Sequence, residues 1–316
     1  MIEIIGLMTV VFAGLFAEGL TASKSNEDTF SDSDAEDGMP ESNDNLTFPD
    51  QDETLTGGEG QDILFGRGGD DEVRGGAGND MLGGRAGDDT LFGADGDDGL
   101  WGEDGNDSLS GGAGADLIYG GNGADSLAGD ADDDMLYAGA GNDLLDGDAG
   151  NDSLFGGEGL DTLSGGQGDD ALEGGLGDDV IHGGAGRDEL FGDAGNDTLW
   201  GNLPDQADTD IDFLNGGAGD DVLMLGAGDY GHGGVGADDF IITDYDTSGG
   251  IVQITDFNPA EDQIIILYDP ALASPPQVAV ELDAMGNTQI LVDGEVMANL
   301  GIGAMINAQD IILRAE

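Results

Sequence analysis

Residues 147–164 read GDAGNDSLF-GGEGLDTLS, and this pair of nine-residue units decides the fold. The underlying pattern is G-G-x-G-x-D-x-U-x, where U is aliphatic. It runs from Gly57 to Trp200 sixteen times without a break in register. Position six is aspartate in every copy, and position eight is Leu, Ile or Val, from Leu64 and Val73 to Leu190 and Leu199. Position one departs from glycine only at Ala138, and position four only at Asp132. A short repeat of this regularity sets the architecture, because each unit can bury its apolar residue only against its neighbours.

The unit splits into a turn and a strand. In G-G-x-G-x-D the glycines admit positive φ and let carbonyls converge with no Cβ in the way. Position five is often Asn or Asp (Asn79, Asp88, Asn106, Asn142, Asn151, Asn196), the residues besides glycine that best tolerate the left-handed region. The remaining D-x-U-x is long enough for a very short strand with one aliphatic side chain inward and its neighbours outward. Strand, turn, strand and turn make one coil of eighteen residues. Sixteen repeats therefore predict eight coils, a rod on the order of 40 Å long at the usual strand spacing. The expected fold class is all-β, a solenoid of short strands.

The charge decides what such a solenoid must bind. The chain has 316 residues, with 69 Asp and Glu against 6 Lys and Arg, a formal charge of -63. Highly charged and poor in aromatics, the repeat tract would stay unfolded without a counter-charge. Nucleic acid is excluded as a partner, since its phosphates would be repelled. Cysteine is absent and the only histidines are His182 and His232, so a softer metal finds almost no donors. Carboxylates and carbonyls suit a hard cation, and Ca²⁺ accepts more oxygens at freer angles than Mg²⁺. Candidate calcium ligands are the aspartates Asp62, Asp71, Asp80, Asp89, Asp98, Asp107, Asp116, Asp125, Asp134, Asp143, Asp152, Asp161, Asp170, Asp179, Asp188 and Asp197. The position-four residues Gly60, Gly78, Gly96, Gly114, Gly150, Gly168 and Gly186 join them as glycine-turn candidates.

These residues resemble the RTX (repeats-in-toxin) family, whose nonapeptide is matched residue by residue across nearly half of the chain. The resemblance implies a right-handed parallel β-roll with Ca²⁺ held between consecutive turns on the same side. Each ion would see aspartates eighteen residues apart, Asp62 with Asp80, Asp71 with Asp89, and so on to Asp179 with Asp197. Roughly fourteen interior ions would result if every gap is filled. The resemblance also implies secretion through a type I exporter that reads an uncleaved C-terminal signal, with which residues 310–316 are compatible. Calcium would then be a folding switch, scarce inside the cell and plentiful outside, with binding free energy becoming folding free energy.

Departures from the pattern mark weak points. The copy at Gly129 carries Asp132 in place of glycine and is followed by Ala138, so a distorted turn is expected near Asp134 and Asp143. Residues 201–215 look like a repeat split by an insertion near Leu203-Pro204, with Asp212 and Leu214 restoring positions six and eight. A clean copy with Asp221 follows. Residues 225–232 then lose one residue and place Tyr230 where Asp belongs, before a last echo containing Asp238.

Three regions frame the array. Residues 1–20 read as a hydrophobic helix, uncharged from Ile4 to Ala17 and preceded by no basic residue. That stretch is short for a membrane span and lacks the positive start of a secretory leader. Docking, self-association, anchor and signal all remain open for it. Residues 21–56, acidic and Ser-rich, read as a disordered linker. The roll is assigned to 57–238, interrupted near 202–211, and 239–316 to a β-rich cap and secretion signal. Strands are expected there at 239–245, 251–257, 263–268, 277–282, 288–292 and 295–300, with Asp293-Gly294 as a hairpin turn. Such a cap would cover the open end of the solenoid.

No sequence motif supports catalysis: the chain has no H-E-x-x-H and no G-x-S-x-G, nor an EF-hand loop. Position nine collects the aromatics Phe65, Phe92, Trp101, Tyr119, Tyr137, Phe155, Phe191 and Trp200, which either pack over the strands or form a stripe facing a sugar or a partner surface. The expectation is a secreted, non-catalytic calcium-binding protein acting as a structural or adhesive rod at the cell surface. The alternative is an accessory module of a secreted enzyme or toxin carried on another chain.

Overall fold

The computed structural model describes residues 45–47, 51–201, 210–243, 250–268, 275–302, 304 and 306–315. The hydrophobic segment 1–20, most of the linker and the heart of the insertion lie outside the described residues. Two sheets face one another, and successive strands alternate between them. The first sheet holds fifteen strands and the second thirteen among the described residues. Strands eighteen residues apart pair in parallel, so Leu136 sits beside Leu154 in the first sheet and Leu127 beside Leu145 in the second.

Why the nonapeptide folds this way is visible in one unit. In Ser153–Glu158 the aliphatic Leu154 faces inward and is fully buried, while Ser153 and Phe155 face out. The same holds at position eight along the whole array, from Leu64 to Leu199. The core is thus two facing columns of single aliphatic side chains, one per strand, with glycine turns on both flanks. Each buried leucine contributes on the order of 2 kcal/mol. That is little per nine residues, which is why the turns must contribute as well.

The roll begins earlier than the nonapeptides do. Strands at Asn45–Thr47 and Thr54–Thr56 add a coil before Gly57, inside the stretch expected to be a disordered linker. Leu55 occupies the inward position there, 2% exposed, and the main-chain N–H of Glu53 donates to Oδ1 of Asp71 at 2.8 Å. The coil lacks the glycine signature but keeps the x-U-x strand, and its partner's register does the rest.

The C-terminal region caps the roll by continuing its two sheets. Val222–Leu225, Asp239–Ile242, Gln263–Tyr268 and Ile311–Ala315 are successive parallel strands of the second sheet. In the first sheet Tyr230–Val235, Val252–Ile254 and Glu295–Ile302 do the same. Only Val278–Leu282, Asn287–Val292 and Glu295–Ile302 form an antiparallel meander, which closes the edge of the first sheet. Residues 311–315, within the stretch compatible with an export signal, are the last strand of the second sheet.

Candidate functional site: an aspartate ladder in the turns

Asp62, Asp71 and every later candidate through Asp197, with Asp212, Asp221 and Asp238, line the two flanks of the roll, none more than 6% exposed. The columns are built by a repeated hydrogen bond. The main-chain N–H of Asp62 donates to Oδ1 of Asp80 at 2.8 Å, that of Asp71 to Asp89 at 2.7 Å, and that of Asp179 to Asp197 at 2.8 Å. Each carboxylate therefore ties its own coil to the one before, at the eighteen-residue spacing. A second, outer ladder runs the other way: the N–H of Asn151 donates to Oδ1 of Asp133, and that of Asn196 to Oδ1 of Asp178, both at 2.8 Å. This explains why position five prefers Asn and Asp.

The other carboxylate oxygen is left over. From Asp80 through Asp179, and again at Asp197 and Asp221, Oδ2 is buried and accepts no hydrogen bond. It lies beside position one of its own repeat, a glycine in all of these repeats but that of Asp143, and a Cβ on Gly156 would stand 2.6 Å from Oδ2 of Asp161. The position-four turns stack likewise. The carbonyl oxygen of Gly60 lies against the Cα of Gly78, that of Gly78 against Gly96, Gly96 against Gly114, Gly150 against Gly168, and Gly168 against Gly186. Glycine at positions one and four thus keeps open the space between coils that a larger residue would fill.

Buried carboxylates without cations are costly. Loss of hydration raises the pKa of Asp89, Asp116, Asp125, Asp134, Asp152, Asp179 and Asp221 to about 7, and of Asp80, Asp107, Asp161, Asp170 and Asp197 to about 6. The N–H from the preceding coil offsets part of that rise, and in most of them the like charge of a neighbouring aspartate adds to it. Six basic residues in the whole chain cannot neutralise this set. Among the described residues no three Asp, Glu or His side chains converge on one point. A cation held here would therefore take its oxygens from two carboxylates and from main-chain carbonyls. The donor set is all oxygen, which fits Ca²⁺.

Two weak points read in the sequence are sound. Asp132 takes φ 76°, the conformation glycine would have had, as Asn and Asp are able to do. The ladder passes through it unbroken: the N–H of Asp116 donates to Asp134 and that of Asp125 to Asp143, both at 2.8 Å. Ala138 is fully buried. Across the insertion the step lengthens to twenty-four residues, from Asp188 to Asp212 and from Asp197 to Asp221.

Two rungs escaped the sequence reading. Asp229, and not a vacancy at Tyr230, takes position six in the shortened copy. It is fully buried, accepts the N–H of Asp212 at 3.1 Å and places Tyr230 beside Phe213. Asp262 extends the ladder again by accepting the N–H of Asp238 at 3.2 Å. Both were legible as an Asp two residues before an inward position, although Gly231 fills that position after Asp229. Its missing side chain leaves room for Leu225 and Phe240. His182 lies on the outer face of the second sheet against Trp200, and His232 bonds Thr255 at 3.0 Å.

The model of the RTX calcium-binding nonapeptide repeat matches in nine stretches, most of them overlapping, 50–82, 84–109, 101–136, 119–154, 129–163, 137–172, 146–181, 173–203 and 206–230. Together they cover more than half of the chain. The chain belongs to this family. RTX repeats bind Ca²⁺, and the aspartate ladder from Asp62 to Asp229 lies inside the matched stretches. No curated protein matches the sequence. Among solved structures the chain is similar to the extracellular lipase LipA from Serratia marcescens, at 20% identity and a TM-score of 0.22. That match covers 78% of this chain and 40% of the lipase. No helix among the described residues is long and apolar enough to cross a membrane.

Proposed function

We propose that this chain is a secreted, non-catalytic RTX protein that folds when Ca²⁺ fills the gaps between its coils, and that the loaded roll serves as a structural or adhesive rod at the cell surface. The observation that supports it is the ladder of buried Oδ2 atoms with no protein partner. Ca²⁺ between Asp62 and Asp80, Asp71 and Asp89, and onward would supply the missing charge. Roughly fourteen interior sites, extended by Asp212, Asp221, Asp229 and Asp238, are proposed. In the cell, where free Ca²⁺ is scarce, aspartate repulsion would keep the chain extended and fit for a type I exporter reading residues 310–316. Outside, weak sites of the extracellular class would fill cooperatively.

The test is a Ca²⁺ titration from EDTA followed by circular dichroism and light scattering, with Mg²⁺ as control. Cooperative gain of β signal and compaction with Ca²⁺ alone is expected. A chain equally folded in EDTA or by Mg²⁺ overturns the switch. For the rod, the loaded protein should remain with the surface of the producing cells and be released by EDTA. Full recovery in the medium bound to a catalytic chain would favour an accessory module instead.

A further inference from the structure

The two outer faces of the roll differ. The position-nine aromatics, one class in the sequence, are sorted by the alternation of strands: Phe65, Trp101, Tyr119, Tyr137, Phe155 and Phe191 fall on the first sheet, Phe92 and Trp200 on the second. Four of the first set stack in series. Trp101 and Tyr119 have centroids 6.1 Å apart, Tyr119 and Tyr137 4.9 Å, and Tyr137 and Phe155 4.7 Å, all within 9° of parallel. Six strands of this sheet, from Ile63–Phe65 to Ser153–Glu158, present two outward positions each, and none of the twelve is charged. Met81, Leu117 and Met135 widen the aromatic stripe, and Met81 and Met135 are exposed. The corresponding face of the second sheet carries Glu72, Arg74, Ser108, Ser126 and Asp146. At one end of this face Arg85 lies over the Phe65 ring, 5.6 Å from its centroid, and the remaining ring-bearing positions form an uncharged strip in a molecule with net charge -63.

The ring geometry argues against sugar. Near-parallel rings less than 5 Å apart lie face to face, so in the middle of the stack each face is occupied by the next ring and only edges point outward. Size argues against a second copy. Six strands span about 24 Å, and three outward-to-outward residues about 10 Å, so each partner would bury only a few hundred Å², well short of the roughly 800 Å² per side of a stable interface.

We infer that the apolar segment Ile4–Ala17 of the same chain covers this face. Its fourteen residues carry no charge, and wound as a helix they are about 21 Å long, the length of the strip. The described chain starts at Asn45, in the edge strand of the stack-bearing sheet itself. Between Ala17 and Asn45 lie twenty-seven residues, enough chain to reach at most about 90 Å. From that edge strand to Ser153–Glu158 is about 29 Å, so the segment reaches the strip without strain. Docking within one chain also avoids bringing two strongly acidic molecules together.

Trp101 reports on it directly, since the chain has two tryptophans and Trp200 is on the other sheet. In Ca²⁺, full-length protein carrying Trp200→Phe is compared with the same protein also carrying Phe12→Glu and Phe16→Glu. The charged pair should shift Trp101 emission to the red and raise its acrylamide quenching several-fold, with far-UV dichroism unchanged. Because the chain has no cysteine, a Val11→Cys, Ser153→Cys pair should close an intramolecular disulfide and leave a monomer on a non-reducing gel. Equal quenching in the two proteins together with no intramolecular disulfide overturns the proposal. A disulfide found only in dimers, or protection of Trp101 lost on dilution, also overturns it and assigns the strip to a second copy.

Discussion

The nonapeptide coils and the C-terminal coils share two continuous sheets but are held by different forces. In Met135–Ala140 one residue per strand, Leu136, faces the core, and the flanks are buried aspartates. In Gln263–Tyr268 three consecutive residues, Ile264, Ile265 and Ile266, are buried, and Asp239–Ile242 buries Phe240, Ile241 and Ile242. Apolar burial carries much more of the second kind, although Asp238 and Asp262 still flank its strands. The first kind buries one aliphatic side chain per strand beside a column of aspartates, and under the proposed function it is the part that needs a cation. The comparison predicts that one continuous set of sheets contains a metal-dependent and a less metal-dependent part.

The largest expected effect comes from removing calcium. Hydrogen exchange in EDTA should show amides of residues 72–200 unprotected while those of 239–268 and 287–315 stay slow. Uniform loss of protection along the chain would erase the distinction. Next in size is the core. Leu136→Ala in Ca²⁺ should lower stability by about 2–5 kcal/mol, read from urea unfolding, because a coil with one inward side chain has nothing with which to refill the cavity. Ile265→Ala, in a strand with two other buried isoleucines, should fall at or below the low end of that range. Third, Asp152→Ala should weaken calcium at the gaps it borders by roughly tenfold or more, seen as a split isothermal titration, whereas Asp283→Ala in the exposed C-terminal turn should leave the titration unchanged.

The smallest effect is the pH dependence. Without metal, the folded coil holds protons on Asp89, Asp116, Asp134 and Asp152 up to about pH 7, whereas in the unfolded chain they leave near pH 4. The folded state binds more protons between these limits, so stability of the metal-free roll is present below about pH 4 and is lost as pH rises through 7. Protons and Ca²⁺ compete for the same oxygens. The calcium midpoint should therefore rise as pH falls from 7.5 to 5.5, and a midpoint indifferent to pH would remove the carboxylates from the binding step.

Much of this was legible in the residues. The period of nine with Asp at six and an aliphatic at eight is enough to derive strand length, coil length and the inward column, since each follows from local backbone geometry. The ladder bond between Asp62 and Asp80 follows from the coil length. Asp229 was hidden because one lost turn residue shifts the spacing to seventeen, a change the sheet absorbs in the loop while preserving register. The first coil was hidden for a related reason: Thr54-Leu55-Thr56 has no glycine turn and gains its conformation from the strand beside it.

The sequence by itself determined the coil and the carboxylate in each turn, because a strict short period leaves every unit the same local solution. Only the tertiary structure decided which units became neighbours. Alternate repeats go to opposite sheets, so eight aromatics in one sequence position became a stack on one face and scattered rings on the other. The isoleucine-rich tail, by its composition a β-rich cap, joined the same sheets because an unpaired strand edge at the end of the array is best satisfied by another parallel strand.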